Sequence, residues 1–525
     1  MSLVQFNAGY ALLAVLPIAL LIWLMVARGW GAVRAGPLAL LLAIALAFGP
    51  FGADLELVAF SQTKGALLSI WVLSIIWAAL FLFHLVDETG QIPVIGAWLA
   101  RLAPDRPLQV LLLAWVFTSF LQGIAGYGIP VAVVAPLMVG NGFTPVVAVV
   151  ATSIGHSWSV TFGSLAASYL ALAGVTGSGG TRLAVDAALL LGVACILCGA
   201  GAVWAFGGRR ALRSVAVPLL LAGVAMAGVQ LALAAAGAYS LAAFAAGAVG
   251  LVVIAAWGRY RRSNQTDAPM MKDQFFDPVG AGAFLRAFSA YAALIVIVLT
   301  VSFVAPIDRF LNGARIELAF PESATSLGWI NPATDSYRTL APFGDTGSLL
   351  LYAALAGYFI YRFLGMLPKG SLARAVKRTI SSAVPSSIGI VTMVGMALAM
   401  TESGMTFALA QGMKSLAGPL FPVVAPFIGV LGAFMTGSNT NSNILFGALQ
   451  RDTAGLLGIS TPVILAAQTT GGALGSMLAP AKIVVGCSTV GLGGEEGPVL
   501  RQGVRYGVII TAVISLLTLV WVQLS

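Results

Sequence analysis

The sequence predicts an all-α polytopic membrane protein of about 12–14 transmembrane helices, each about 20 residues long. Three observations predict it. Of 525 residues only 9% are Asp, Glu, Lys or Arg and 59% are hydrophobic, where a soluble protein carries roughly 25% charged residues. Apolar runs of about 20 residues, enough to cross a hydrocarbon core of roughly 30 Å, recur from Tyr10 to Val522. The basic residues stand in clusters between those runs: Arg28 with Arg34; Arg209, Arg210 and Arg213; Arg259, Arg261 and Arg262; Lys369, Arg374, Lys377 and Arg378. Such clusters mark cytoplasmic connections, so the net charge of +9 orients the chain in a lipid bilayer and does not point to nucleic acid. A soluble enzyme, a nucleic-acid binder and a disordered chain are excluded on the same grounds.

Residues 1–6 carry no basic run, so the stretch 10–27 is expected as a retained first helix, not a cleaved signal. Further spans are expected at 37–60, 66–86, 108–121, 144–172, 183–206, 215–234, 238–257, 284–304, 347–366, 383–400, 422–436, 462–480 and 505–523. They divide into an N-terminal repeat (1–262), a cytoplasmic linker (263–283) and a C-terminal repeat (284–525). The region 308–345 is expected outside the cytoplasm, with Trp329 and Tyr337 at the interface. Parity adds a constraint. The connection holding Arg101 and Arg106 and the cluster at 209–213 both belong on the cytoplasmic side, yet three spans separate them. One of the three must enter and turn back.

The segment that does so holds Gly123, Gly126, Gly128 and Pro130. Each glycine destabilises a helix by about 1 kcal/mol and an interior proline by about 3. At membrane depth such backbone is tolerated where protein buries it or where it lines a wet cavity. A re-entrant element near 108–141 is expected; the plainer alternative is a kinked packing helix. In the second half, Gly437 precedes six neutral polar residues, Ser438, Asn439, Thr440, Asn441, Ser442 and Asn443. They form an exposed turn or the tip of a second re-entrant element near 422–456. A repeat favours the second reading: Thr144-Pro145-Val146 and Thr461-Pro462-Val463 each open a helix that breaks again, at 152–157 and at 469–476. Internal repeats with interrupted helices at matching positions point to the binding site of a secondary transporter.

At these residues the sequence resembles the lactate permease family. The likeness rests on 123–143 (GIAGYGIPVAVVAPLMVGNGF), 436–450 (TGSNTNSNILFGALQ) and 468–494 (QTTGGALGSMLAPAKIVVGCSTVGLGG). It implies import of small 2-hydroxymonocarboxylates such as lactate and glycolate across the bacterial cytoplasmic (inner) membrane, with a proton or else sodium. It also implies kinship to dimeric carriers with inverted repeats, paired re-entrant hairpins and an elevator-type motion. The chain departs from the family pattern at three positions. Gln122 and Asn439 stand where members carry acids, and Lys482 stands where a neutral residue is usual.

Moving one anion inward against 100 mV costs about 2.3 kcal/mol, close to a fiftyfold exclusion, so accumulation needs a co-transported cation. A dehydrated carboxylate also needs donors, which half-helix N-termini can supply. Ser438, Asn439, Thr440, Asn441, Ser442, Asn443, Thr469 and Thr470 are the expected side-chain partners, with Gly123, Gly126 and Gly128 allowing close approach. Lys482 is the candidate counter-ion, against the alternative that it snorkels to the interface. His156, at the first helix break, is the candidate proton carrier, against a neutral structural role. Glu402 and Asp345 are expected at the interface, and His84, beside Asp87 and Glu88, is read as structural.

Cys195 and Cys198 lack the two further ligands of a zinc site and read as core thiols, with Cys487 alone. The run Gly491–Gly497 has no preceding strand and no closing Lys-Ser/Thr, so it is not a phosphate loop. No cofactor, metal or catalytic group is expected, which leaves a membrane enzyme without chemistry. The remaining alternatives are a permease for a sulfonate or dicarboxylate and a passive anion channel.

Overall fold

The computed structural model describes residues 6–91, 102–124, 126, 128–263, 281–492 and 496–524. The expectations for residues 1–5, Arg101, most of the 263–283 linker and 493–495 fall outside those residues. Nine helical segments among the described residues are long and apolar enough to cross a membrane, and five shorter apolar helices accompany them. Fewer full spans than expected result because several predicted spans are broken into shorter helices.

The chain opens with α1 (Ala8–Val26), α2 (Ala32–Phe48) and α3 (Leu55–Asp87). Here the structure corrects the predicted boundary between 37–60 and 66–86. The break lies at 49–54, where Gly52 takes a φ of +65° and Asp54 caps α3 by accepting from Leu57 N at 2.8 Å. The polar stretch 61–65, read as a connection, continues inside α3. Ser61 bonds the Val58 carbonyl at 2.8 Å, and Lys64 donates to Glu402 at 2.6 Å. Glu402 is therefore not at the interface: it is buried as the partner of Lys64.

Next come α4 (Arg106–Ile124), α5 (Ile129–Gly140), α6 (Pro145–Ser157), α7 (Gly163–Thr176) and α8 (Thr181–Ser214). Asp105 caps the start of α4, and residues 111–117 within it form a π-helical stretch, a feature that recurs at functional sites. The predicted span 144–172 is thus two helices. In the first turn of α7, Ser164, Leu165 and Ala166 all have positive φ, a left-handed turn costing roughly 1–2 kcal/mol per residue. Then follow α9 (Ala216–Ala235), α10 (Tyr239–Ser263), α11 (Ala281–Phe303) and the short α12 (Ala305–Leu311). The region 308–345 carries a two-stranded antiparallel ribbon, β1 (Ser323–Ala324) and β2 (Ile330–Asn331). Trp329, expected at the interface, packs on Phe407 with ring centroids 5.1 Å apart and planes tilted by 35°.

The second half repeats the order of the first. After α13 (Thr346–Phe363), α14 (Ser371–Glu402) and α15 (Met405–Ala417) come α16 (Phe421–Thr436), α17 (Asn439–Leu457), α18 (Thr461–Gly475), α19 (Pro480–Thr489) and α20 (Glu496–Leu524). Helix α15, short and interrupted by Gln411 and Lys414, was not expected from the apolar pattern. The pairs α4–α5 and α16–α17 each pack as a helical hairpin, followed by a broken helix (α6–α7 and α18–α19) and a long one (α8 and α20). The two halves interleave. Helix α3 packs on α13 and α14, α1 on α15, and α17 on α7. Cys195, Cys198 and Cys487 are free and buried, as core thiols should be.

Candidate functional site

The second hairpin turns in two residues. Gly437 ends α16 with φ +71°, and Ser438 caps α17 by accepting from Asn441 N at 3.3 Å. The polar run therefore begins a helix instead of forming a surface turn, and all of Asn439–Asn443 is buried. Most of it is committed to a neutral seam with the first broken helix. Asn443 Nδ2 donates to the Ser168 carbonyl at 2.9 Å and to Thr469 Oγ1 at 2.8 Å. Asn439 Nδ2 lies 3.2 Å from Thr161 Oγ1 and 3.3 Å from Thr469 Oγ1, while Thr440 and Ser168 share a hydroxyl contact at 3.0 Å. Ser442 Oγ donates to the Gly429 carbonyl at 2.7 Å and accepts from Gln468 Nε2 at 3.1 Å.

The first hairpin is built differently. Gly123 faces α10, where a Cβ would fall 2.6 Å from the Phe244 backbone, so Gly123 serves helix packing. Gly126 fits beside Ser164 and Gln122. Gly128 takes a φ of +84° to start α5, and a Cβ there would fall 3.7 Å from Lys482 Cγ. The tip of the N-terminal hairpin thus meets the second piece of the C-terminal broken helix. Each hairpin tip also seats against the neighbouring helix break: Gln122 against Gly163, and Asn439 against Gly472.

Both tips border one cavity of about 430 Å³. Ile129, Ser438, Asn441 and Lys482 line one side, and Leu80, His84, Ser382 and Ser386 of α3 and α14 line the other. Ile129, Gly437, Ser438, Asn441 and Lys482 are therefore brought together, while Asn439, Thr440, Ser442, Asn443 and Thr469 stand behind them in the seam. Three helices (α5, α17 and α19) begin at this cavity, so three positive dipole ends face it. No carboxylate is among the described residues that line it. Among the described residues the Lys482 ammonium has no charged neighbour acting on it, and the Asn441 side-chain oxygen Oδ1 is buried and unpaired. At the end of α3 nearest this cavity, Arg374 pairs with Glu88 and Arg378 with Asp87, each at 2.7 Å. By the positive-inside rule that end is cytoplasmic, so the cavity lies in the inner half of the protein.

His156 sits just before the α6 break. Its Nδ1 is 2.7 Å from the Thr152 carbonyl, and its Nε2 is buried without a partner. Thr470 is buried with an unpaired hydroxyl, outside the cavity. The sequence reading omitted three groups: the left-handed turn at Ser164–Ala166, the partners Thr161 and Ser168, and Ser382 and Ser386 of the opposite wall, on which His84, read as structural, also stands. His84, whose Nδ1 is 3.1 Å from Thr379 Oγ1, adds a polar ring to that wall. Ser382 and Ser386 of α14 stand four residues apart on one helical face, the single signal that could have found the wall. Leu165 and Ala166 carry no signal for a left-handed turn.

The L-lactate permease family profile matches residues 10–525. The glycolate permease GlcA of Escherichia coli (strain K12) is 30% identical, covering 97% of this chain and 95% of its own. The L-lactate permease of Bacillus subtilis (strain 168) is 26% identical over the same shares. Among solved structures, the Alcanivorax borkumensis YdaH transporter aligns with a TM-score of 0.46 and 14% identity, covering 89% of this chain and 87% of that one. Bacterial permease relatives and the apolar helices together make this a multi-pass protein of the inner membrane.

Proposed function

The chain belongs to the L-lactate permease family, and from that premise we propose that it imports a small 2-hydroxymonocarboxylate, lactate or glycolate, by proton symport. One observation carries the reading: a cavity onto which three helix N-termini and Lys482, unpaired among the described residues, converge, with no acid on its described lining. A carboxylate leaving water needs replacement hydrogen bonds. Helix N-termini offer backbone donors and a favourable dipole end, and Lys482 offers the counter-charge. Ser438 and Asn441 can bond the 2-hydroxyl. The volume of about 430 Å³ lies within the usual range for small-molecule pockets, about 300–1,000 Å³.

The cavity has two walls of different origin. Hairpins α4–α5 and α16–α17, read as re-entrant, form one body with the broken helices, tied together by the neutral seam. Helices α2, α3 and α14 form the other. Sliding the first body along the second, an elevator-type motion, carries the anion across. His156 is the proton carrier. With Nδ1 engaged by Thr152, its bare Nε2 is free to accept. A proton there and the nearby Lys482 ammonium repel each other in a low-dielectric interior; a bound carboxylate removes that repulsion and couples the two cargoes.

A sodium-coupled variant has its own support, since the side-chain amide oxygens (Oδ1) of Asn439 and Asn443 are buried without donors among the described residues and hard cations take oxygen ligands. Reconstituted protein separates these readings. The proposal predicts saturable uptake of labelled lactate or glycolate, counterflow, and accumulation driven by an imposed pH gradient. Accumulation driven by a sodium gradient alone favours the variant. Current without exchange favours a channel, and preference for a sulfonate or dicarboxylate names a different anion. Following the same kinship, the assembly is a homodimer, testable by the mass of the detergent-free particle.

A further inference from the structure

A second polar pocket, of about 400 Å³, lies in the region 305–345. That region holds three arginines against five acids, the basic-poor composition of a connection outside the cytoplasm. Arg338, Arg315, Asn312, Ser336 and Thr339 line the pocket together with Asp345. The Arg338 guanidinium lies over the Trp71 ring, 3.2 Å from its centroid. Its Nε is buried without a partner, and among the described residues Arg338 has no hydrogen bond or ion pair. Burial lowers this guanidinium from its usual value, and the field of the neighbouring Asp345 offsets that only in part, as befits a desolvated cation.

Most other groups here are already engaged. The Asp345 carboxylate turns to the Ala341 N–H at 2.8 Å, and Glu317 accepts from Thr339 at 3.1 Å. Asp308 accepts from Asn312 at 2.8 Å, and Arg315 uses Nε on the Asn312 carbonyl at 2.9 Å, its terminal nitrogens having no partner among the described residues. What the pocket offers is unused guanidinium N–H groups, which match a carboxylate in a two-pronged geometry. It stands over the helix that also walls the inner cavity. Trp71, beneath Arg338, and Leu80, on the wall of the inner cavity, belong to the same helix α3, about 14 Å apart at 1.5 Å rise per residue.

We propose that this pocket is an outer docking site for a small monocarboxylate, which Arg338, assisted by Arg315, captures from the external side ahead of the inner cavity. The inference rests on the import reading above, so its test reads Arg338 itself as well as transport. Right-side-out vesicles are treated with a membrane-impermeant arginine reagent of the phenylglyoxal type, and modification of Arg338 is followed by peptide mass. Lactate or glycolate in the medium is expected to slow modification of Arg338 in wild type and in Lys482→Gln alike, with exposed Arg309 unaffected. Arg338→Gln is expected to lower initial uptake about tenfold at low external lactate, with the rate at saturating lactate retained. Protection absent in both proteins, protection lost in Lys482→Gln, or an Arg338 that never reacts would each overturn the proposal. Protection of Arg338 in a protein that carries neither acid would sink the import reading and leave the docking site standing.

Discussion

Lys64 and Lys482 both lie within helices of the membrane body, yet their surroundings differ in kind. Lys64 is 5% exposed and donates to Glu402 at 2.6 Å, with Phe320 and Tyr337 rings 5.2 and 5.7 Å from its ammonium. Lys482 borders the inner cavity with the hairpin tips around it and no acid in reach among the described residues. A charge taken out of water must be compensated. At Lys64 the chain supplies the compensation; at Lys482 it leaves the place for a transported anion. Removing Lys64 should therefore harm the fold, and removing Lys482 should harm transport.

The largest expected effect breaks the Lys64 side. Lys64→Met leaves Glu402 buried and unpaired, a loss of about 3–5 kcal/mol, read as a marked drop in thermal unfolding temperature. Lys64→Met with Glu402→Leu should recover most of that stability. If the single variant is as stable as wild type, the pair is not structural. Next, Lys482→Gln should unfold at the wild-type temperature while lactate affinity falls by roughly 1.5–3 kcal/mol, about ten- to 150-fold. Near-normal affinity would remove Lys482 as the counter-ion.

How far the sequence foretold this contrast depends on the distance between partners. The glycine-interrupted hairpin at 123–130, the polar tip at 438–443 and the two TPV helices with their breaks were all legible, because local propensity conflicts with membrane burial at each. Lys482 stood out for its charge in an apolar run. Lys64 misled, since Ser61, Gln62, Thr63 and Lys64 together look like a loop until Glu402, distant in sequence, neutralises the charge. The wall holding His84, Ser382 and Ser386 was equally hidden, because which helix faces a cavity is a matter of tertiary packing. Gly123 has the residue type of a site glycine but packs on Phe244.

Two smaller effects sharpen the comparison. Asn443→Ala removes two buried hydrogen bonds from the neutral seam and leaves Thr469 underused; a loss of about 1–3 kcal/mol of stability is expected, by denaturant unfolding, with lactate affinity nearly unchanged. A large affinity loss would move Asn443 from the seam into the binding shell. His156→Gln should abolish accumulation driven by a pH gradient while lactate–lactate exchange continues at close to the wild-type rate. Accumulation that survives the change would place the proton elsewhere.

The most direct test of the central claim is to locate a heavy-atom analogue, 3-bromolactate, by its bromine in a structure of the purified protein. The account predicts bromine density between Gly128, Ser438 and Lys482 in wild type and its disappearance in Lys482→Gln. Ordered bromine at a different place, or equal occupancy in both proteins, would contradict it.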